Sequence, residues 1–164
     1  KEGRYIYTEK GGWMDMAHFM FYAGKAYGYK QQKQQAQELM NSESFKYMRH
    51  GQETIIRQAT MDPVGEAVQD GYHQEMSDKF AAKHSAYSYE DLPSDKYGAD
   101  FGANYFDPNS KLTFGEQLEN YLNGLGATDP KNAPNYNNLP TTEPTDKPTR
   151  TNNTTTPVYT KDNP

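Results

Sequence analysis

One stretch limits the possible folds of this chain more than any other, the run Gly11–Tyr29 with the sequence GGWMDMAHFMFYAGKAYGY. At about 100° per residue, its apolar side chains cover most of the circumference of a helix. A helix that is apolar on nearly all sides belongs in the middle of a domain. The sequence therefore predicts a central, buried helix around which the other elements pack.

The predicted central helix carries a single polar strip. Its members are spaced 3, 4, 3 and 4 residues apart and are Asp15, His18, Tyr22, Lys25 and Tyr29. This spacing places them on one helix face. The strip is then either a narrow edge that faces solvent or the wall of a buried pocket.

The remaining sequence predicts a mainly α-helical single domain over residues 1–126. Alternation in Arg4–Thr8 predicts a short N-terminal β element. Gly51 is expected to divide one helical run, Asp62-Pro63 to begin another helix, and Thr113 with Glu116 to form a capping box. Residues 127–164 are rich in Thr, Asn and Pro, which predicts an extended or disordered tail.

Composition excludes several classes of function. The net charge is −5, with 17 basic and 22 acidic residues, so no broad attraction to nucleic acid or to an anionic membrane is expected. The chain has no cysteine, which removes disulfides and thiolate chemistry. No apolar run predicts a membrane span. The start at Lys1, without an initiator Met or a signal-peptide pattern, suggests a piece excised from a longer protein.

The first candidate site is the pair Asp15 and His18, three residues apart on one helix face. A carboxylate beside an imidazole orients the ring and favours its protonated form, as a general acid or base requires. The structural alternative is a core histidine that is satisfied by its neighbouring carboxylate.

A second stripe lies on the helix predicted from Val64 to about Lys83. It includes Glu66, Gln69 and His73, at spacings of 3 and 4. These residues either form an exposed helix face, or Glu66 packs near apolar side chains and acts as a proton donor.

The third candidate is the polar loop Ser85–Asp95, which contains Ser88, Glu90, Asp91, Ser94 and Asp95. Helix capping accounts for both serines, with Pro93 ending one turn and Ser94 starting the next helix. Two helix N-termini that face the same way would also bind an anion or orient a water molecule.

Together the three groups predict one pocket, with His18 and Asp15 on the central helix, Glu66 and His73 on a neighbouring helix, and the loop as its rim. A divalent metal could be held by members of this set, but the sequence has no HExxH or closely spaced His pair, so no cofactor is assigned. The candidate ligands are Asp15, His18, Glu66, His73 and His84. His50 has no companion and is expected at the surface.

Three segments resemble the C-terminal domains of bacterial Rhs-type and related polymorphic toxins or secreted effectors. They are GGWMDMAHF, Glu66-x-x-Gln69 and SAYSYEDLPSDKYGADFG, and the resemblance spans Arg4–Leu125. It implies an effector that is secreted or delivered into a target cell, is released from a parent carrier protein and is neutralised by an immunity protein. The resemblance thus implies a biological setting more than it implies a particular reaction. The matching positions are Asp15, His18, Glu66, Gln69, Ser88, Glu90, Asp91 and Ser94.

The leading hypothesis is therefore an effector hydrolase with His18–Asp15 as acid/base pair and Glu66 as second carboxyl group. The acidic balance favours a cell-envelope substrate over nucleic acid. One alternative is a non-catalytic binding or carrier-attached module. Another is a metal-dependent nuclease toxin, which would need a basic groove from residues such as Lys25, Lys30, Lys33 and Arg57.

Overall fold

A computed structural model describes residues 5–82 and 91–133, and these form a mainly α-helical fold with a small N-terminal sheet. The elements, in chain order, are β1 (Tyr5–Thr8), β2 (Gly12–Asp15), α1 (Met16–Met40), α2 (Glu43–Lys46), α3 (Gln52–Thr60), α4 (Pro63–Ala82), α5 (Asp91–Asp100), a π-helical segment (Phe101–Tyr105), α6 (Phe114–Gly124), β3 (Ala127–Thr128) and a 3₁₀ turn (Pro130–Asn132). The predicted fold class is confirmed.

The sheet has the order β2-β1-β3, and both neighbours run antiparallel to β1. Tyr5 pairs with Asp15 and Thr8 with Gly12, so β1 and β2 form a hairpin. Gly12 has φ +69°, which a glycine adopts without steric cost. The predicted strand is thus confirmed, but Gly12–Asp15 is a strand and not the start of the central helix.

Helix α1 is the centre of the fold, as predicted, and it contacts α3, α4, α5 and the π-helical segment. It runs on to Met40, beyond the apolar run. One cluster around Phe19, Phe101 and Tyr121 fills the space between α1, the π-helical segment and α6. A second cluster around Tyr22, Ala67 and Ala99 joins α1 to α4 and α5.

Local signals in the sequence set several helix boundaries. Gly51, at φ +87°, precedes α3, and Asp62 accepts a hydrogen bond from the Val64 amide where α4 begins. Thr113 and Glu116 form both hydrogen bonds of the predicted capping box. These three predictions are confirmed.

The folded part extends past the predicted boundary at residue 126. Strand β3 pairs with β1, and Ala133 is buried against Tyr5 and Trp13. The composition changes at Ala127, but a two-residue strand is too short to give a sequence signal. Among the helices in the described parts of the chain, none is both long and apolar enough to cross a membrane.

Candidate functional site

Asp15 occupies the junction between β2 and α1 and caps the helix. Its Oδ1 accepts a hydrogen bond from the amide of Ala17 at 3.0 Å, with the His18 amide at 3.5 Å. An acidic residue at this position also interacts favourably with the positive end of the helix dipole. Only 1% of the Asp15 side chain is exposed, so capping fixes a buried carboxylate in one orientation.

The second carboxylate oxygen of Asp15 holds the His18 ring. Oδ2 lies 2.9 Å from Nδ1 of His18, and 21% of the histidine side chain is exposed. An ionised carboxylate only accepts hydrogen bonds, so Nδ1 carries the proton. In the neutral ring, Nε2 is therefore the basic nitrogen. This is the arrangement in which a carboxylate orients a histidine for proton transfer.

Ser94 ties α5 to this junction from inside the protein. Its Oγ accepts a hydrogen bond from the Asp15 amide at 2.7 Å, and its side chain is fully buried. The prediction that Ser94 begins a helix is wrong, because α5 starts at Asp91 and runs through Pro93, which a first helical turn tolerates. Ser94 thus positions Asp15 and does not line an open rim for ligand.

The rest of the polar strip on α1 faces α4. Tyr22 is fully buried, and its ring lies directly against Gly71, where an added Cβ would overlap it. Lys25 and Tyr29 both donate hydrogen bonds to Asp70, at 2.6 and 3.2 Å. Tyr22, predicted to bind a ligand, therefore forms part of a helix–helix interface.

The Asp70 cluster is a local charge network. The hydrogen bond from Lys25 is the main reason that the pKa of Asp70 is lowered. Burial and the neighbouring Asp70 carboxylate raise the pKa of Tyr29. Lys25, one of the residues proposed for a basic groove, already has its charge compensated by a carboxylate.

The structure does not bring Glu66 to His18. Glu66, Gln69 and His73 all lie on the exposed surface of α4. Glu66 stands one helical turn before Asp70 and is near enough to help raise the pKa of Tyr29. Tyr29 itself is three turns along α1 from His18, about 16 Å along the axis. The described contacts therefore place Glu66 near Tyr29, and the single pocket shared with His18 stays a prediction.

Three members of the predicted set, His84, Ser88 and Glu90, lie outside the described residues. Asp91 is the first residue of α5. Within residues 5–82 and 91–133, no three His, Asp or Glu side chains gather where they could hold a metal ion. The candidate ligands Asp15 and His18 meet each other, while Glu66 lies elsewhere.

Sequence reasoning missed a cleft of about 530 Å³ formed by α5, α6 and the segment between them. Tyr97, Tyr105 and Tyr121 line it, together with Asp100 and, at the hairpin turn, Lys10. These residues are spread over most of the chain and follow no common spacing. The sequence pointed to this cleft only through its abundance of tyrosine, and composition does not show which tyrosine rings lie close together.

Comparisons of the chain with known protein families, curated proteins and solved structures return no match.

Proposed function

We propose that this chain is a hydrolase domain of a bacterial effector, with His18 as the general acid/base and Asp15 as the residue that orients it. The observation that carries this proposal is the Asp15–His18 pair. Its carboxylate is 1% exposed and engaged through both oxygens, while the imidazole that it holds at 2.9 Å is partly exposed. A fixed carboxylate beside a partly exposed ring is the arrangement that proton transfer to a substrate needs.

The chemistry follows from the tautomer. With Nδ1 donating to Asp15, Nε2 of a neutral His18 accepts a proton from a water or substrate hydroxyl, and the ring then returns it to the leaving group. The Asp15 carboxylate stabilises the charged ring between these two steps. Glu66 is left out of this scheme because it lies on the exposed surface of α4, near Tyr29.

The setting rests on the resemblance to Rhs-type effector domains and on charge. A net charge of −5 gives no general attraction to phosphate backbones, which favours a cell-envelope substrate. The corresponding partners are a carrier protein and an immunity protein that blocks the domain in the producing cell.

The test is expression in bacteria, with the chain directed either to the cytoplasm or to the periplasm. We expect the wild-type chain to stop growth in the periplasm and His18→Ala to be harmless there. The matched control is His50→Ala, because His50 is an exposed histidine far along the chain. Circular dichroism of the purified variants checks that each one is folded.

Two results would contradict the proposal. Equal harmlessness of the wild-type chain in both compartments would argue against an effector. Toxicity that persists in a folded His18→Ala variant would remove His18 from the mechanism.

One observation also favours a non-catalytic module. The Asp15 carboxylate caps α1, so a purely structural role is enough to explain why it lies beside His18. If the chain is a non-catalytic module, His18→Ala would lower the free energy of unfolding and leave any activity of the chain unchanged.

A further inference from the structure

The cleft between α5 and α6 combines exposed aromatic rings with fixed polar groups. Tyr121 lies at its base and is nearly buried, whereas Tyr105 at its edge is 60% exposed. The two rings meet edge to face with centroids 4.9 Å apart. A cleft of this size lies within the range of pockets that hold small ligands, about 300–1,000 Å³.

The polar groups of the cleft are held in place by one another. The Tyr121 hydroxyl donates to Oδ2 of Asp100 at 2.8 Å, and Asn104 donates to Oδ1 at the same distance. Burial, followed by the hydrogen bond to Asp100, raises the pKa of Tyr121 well above its usual range. Tyr121 therefore stays a neutral phenol, and Asp100 keeps a fixed orientation.

The rim opposite α5 is also fixed. The side-chain amide of Gln117 accepts a hydrogen bond from the Asp107 amide and donates to the carbonyls of Asp107 and Leu112. This holds the connection between the π-helical segment and α6 against the helix that follows it. Walls that are already fixed in the free protein lower the entropic cost of binding a ligand.

The geometry points to a saccharide as the ligand of this cleft. An anionic ligand is disfavoured because the two carboxylates of Asp100 and Asp107 give the cleft more negative charge than Lys10 compensates. A wholly apolar ligand would remove phenols and carboxylates from water without replacing their hydrogen bonds. A short neutral glycan offers hydroxyls to Asp100 and Asn120 and an apolar C–H face to the exposed ring of Tyr105.

The π-helical segment gives an independent reason to expect function here. Phe101–Tyr105 follows directly from α5, so Asp100 and Tyr105 lie at the two ends of the segment and both line the cleft. A π-helical turn replaces the regular α-helical hydrogen bonds, and such turns occur frequently at functional sites. The saccharide site does not depend on His18, which does not line the cleft.

The experiment titrates the full chain with neutral oligosaccharides and follows its backbone amides by NMR. The probes are chitotetraose, cellotetraose and maltotetraose, each raised to about 10 mM, which reveals even millimolar binding. We expect at least one of them to shift the amides of α5, the π-helical segment and α6. Tyr105→Ala should weaken that binding about tenfold.

The matched control is Tyr47→Ala, since Tyr47 is a tyrosine with 79% exposure that does not line the cleft. Both tyrosines are exposed, so neither substitution removes a buried side chain from the core. The saccharide site is overturned if no probe shifts cleft amides, if the shifts map elsewhere, or if the two variants bind alike. None of these results bears on the growth test of His18.

Discussion

At the scale of single residues, Asp15 has two functions that are usually separate. One carboxylate oxygen caps α1 and the other holds the His18 ring. The amide of the same residue is anchored to the buried hydroxyl of Ser94. The carboxylate is held through both oxygens and the backbone through its amide, which favours a preorganised proton-transfer group.

The two functions of Asp15 can be separated by substitution. Asparagine caps helices about as well as aspartate, so Asp15→Asn should change the free energy of unfolding by about 0.5 kcal/mol or less. Asp15→Ala loses the cap and should cost about 1–2 kcal/mol. Both variants should lose the growth inhibition proposed for the wild-type chain, since neither has a carboxylate beside His18.

Urea unfolding measures the stabilities, and the periplasmic growth assay measures the activity. If Asp15→Asn inhibits growth as strongly as the wild-type chain, the carboxylate serves only as a cap and its proposed role in orienting His18 is wrong.

At the scale of elements, glycines determine how closely the helices approach. Gly98 and Gly102 lie four residues apart, against the backbone of α1 at Phe19 and Ala23. A Cβ at Gly102 would come within 2.0 Å of the Ala23 carbonyl oxygen. These two glycines therefore allow α5 and the π-helical segment to pack closely against α1.

Gly24 and Gly28 on α1 behave differently, because a Cβ at either position meets nothing within 4 Å. We expect Gly102→Ala to lower the free energy of unfolding by about 2–3 kcal/mol, since the backbones would have to separate. Gly24→Ala should raise it by about 0.5–1 kcal/mol through helix propensity. Thermal unfolding of the two variants and the wild-type chain tests the predicted decrease and the predicted increase. If Gly102→Ala leaves the stability unchanged, the close approach of the π-helical segment to α1 is wrong.

At the scale of the whole molecule, the small sheet closes the fold by joining its two ends. Strand β1 lies between β2 and β3, and the hairpin turn is anchored by hydrogen bonds from Glu9 and Lys10 to the carbonyls of Gly126 and Leu125. Residues 127–133 thus complete the domain, although their composition resembles that of the tail.

A truncation series tests this closure. A chain that ends at Ala133 should unfold at a higher temperature than one that ends at Gly126, by about 4 °C for each kcal/mol lost. The shorter chain loses the pairing of β1 with β3 and the cover that Ala133 gives to Tyr5 and Trp13. Equal melting temperatures would place the domain boundary at residue 126 after all.

Local features of the fold and site could be predicted because they depend on neighbours in sequence. The break at Gly51, the start at Asp62-Pro63 and the capping box at Thr113 each involve only a few residues. The contact between Asp15 and His18 belongs to the same class, since it joins the N-cap residue of α1 to a residue in the first turn of that helix. Sequence alone determined these features.

Tertiary packing decided the rest. Gly12–Asp15 reads as part of an apolar helix, and only pairing with β1 makes it a strand. The contacts of Tyr22 with Gly71 and of Tyr29 with Asp70 set how α1 and α4 pack, which places Glu66 near Tyr29. The tyrosine cleft joins residues from Lys10 to Leu125. Such contacts depend on how helices approach across long stretches of chain, and no short-range spacing encodes them.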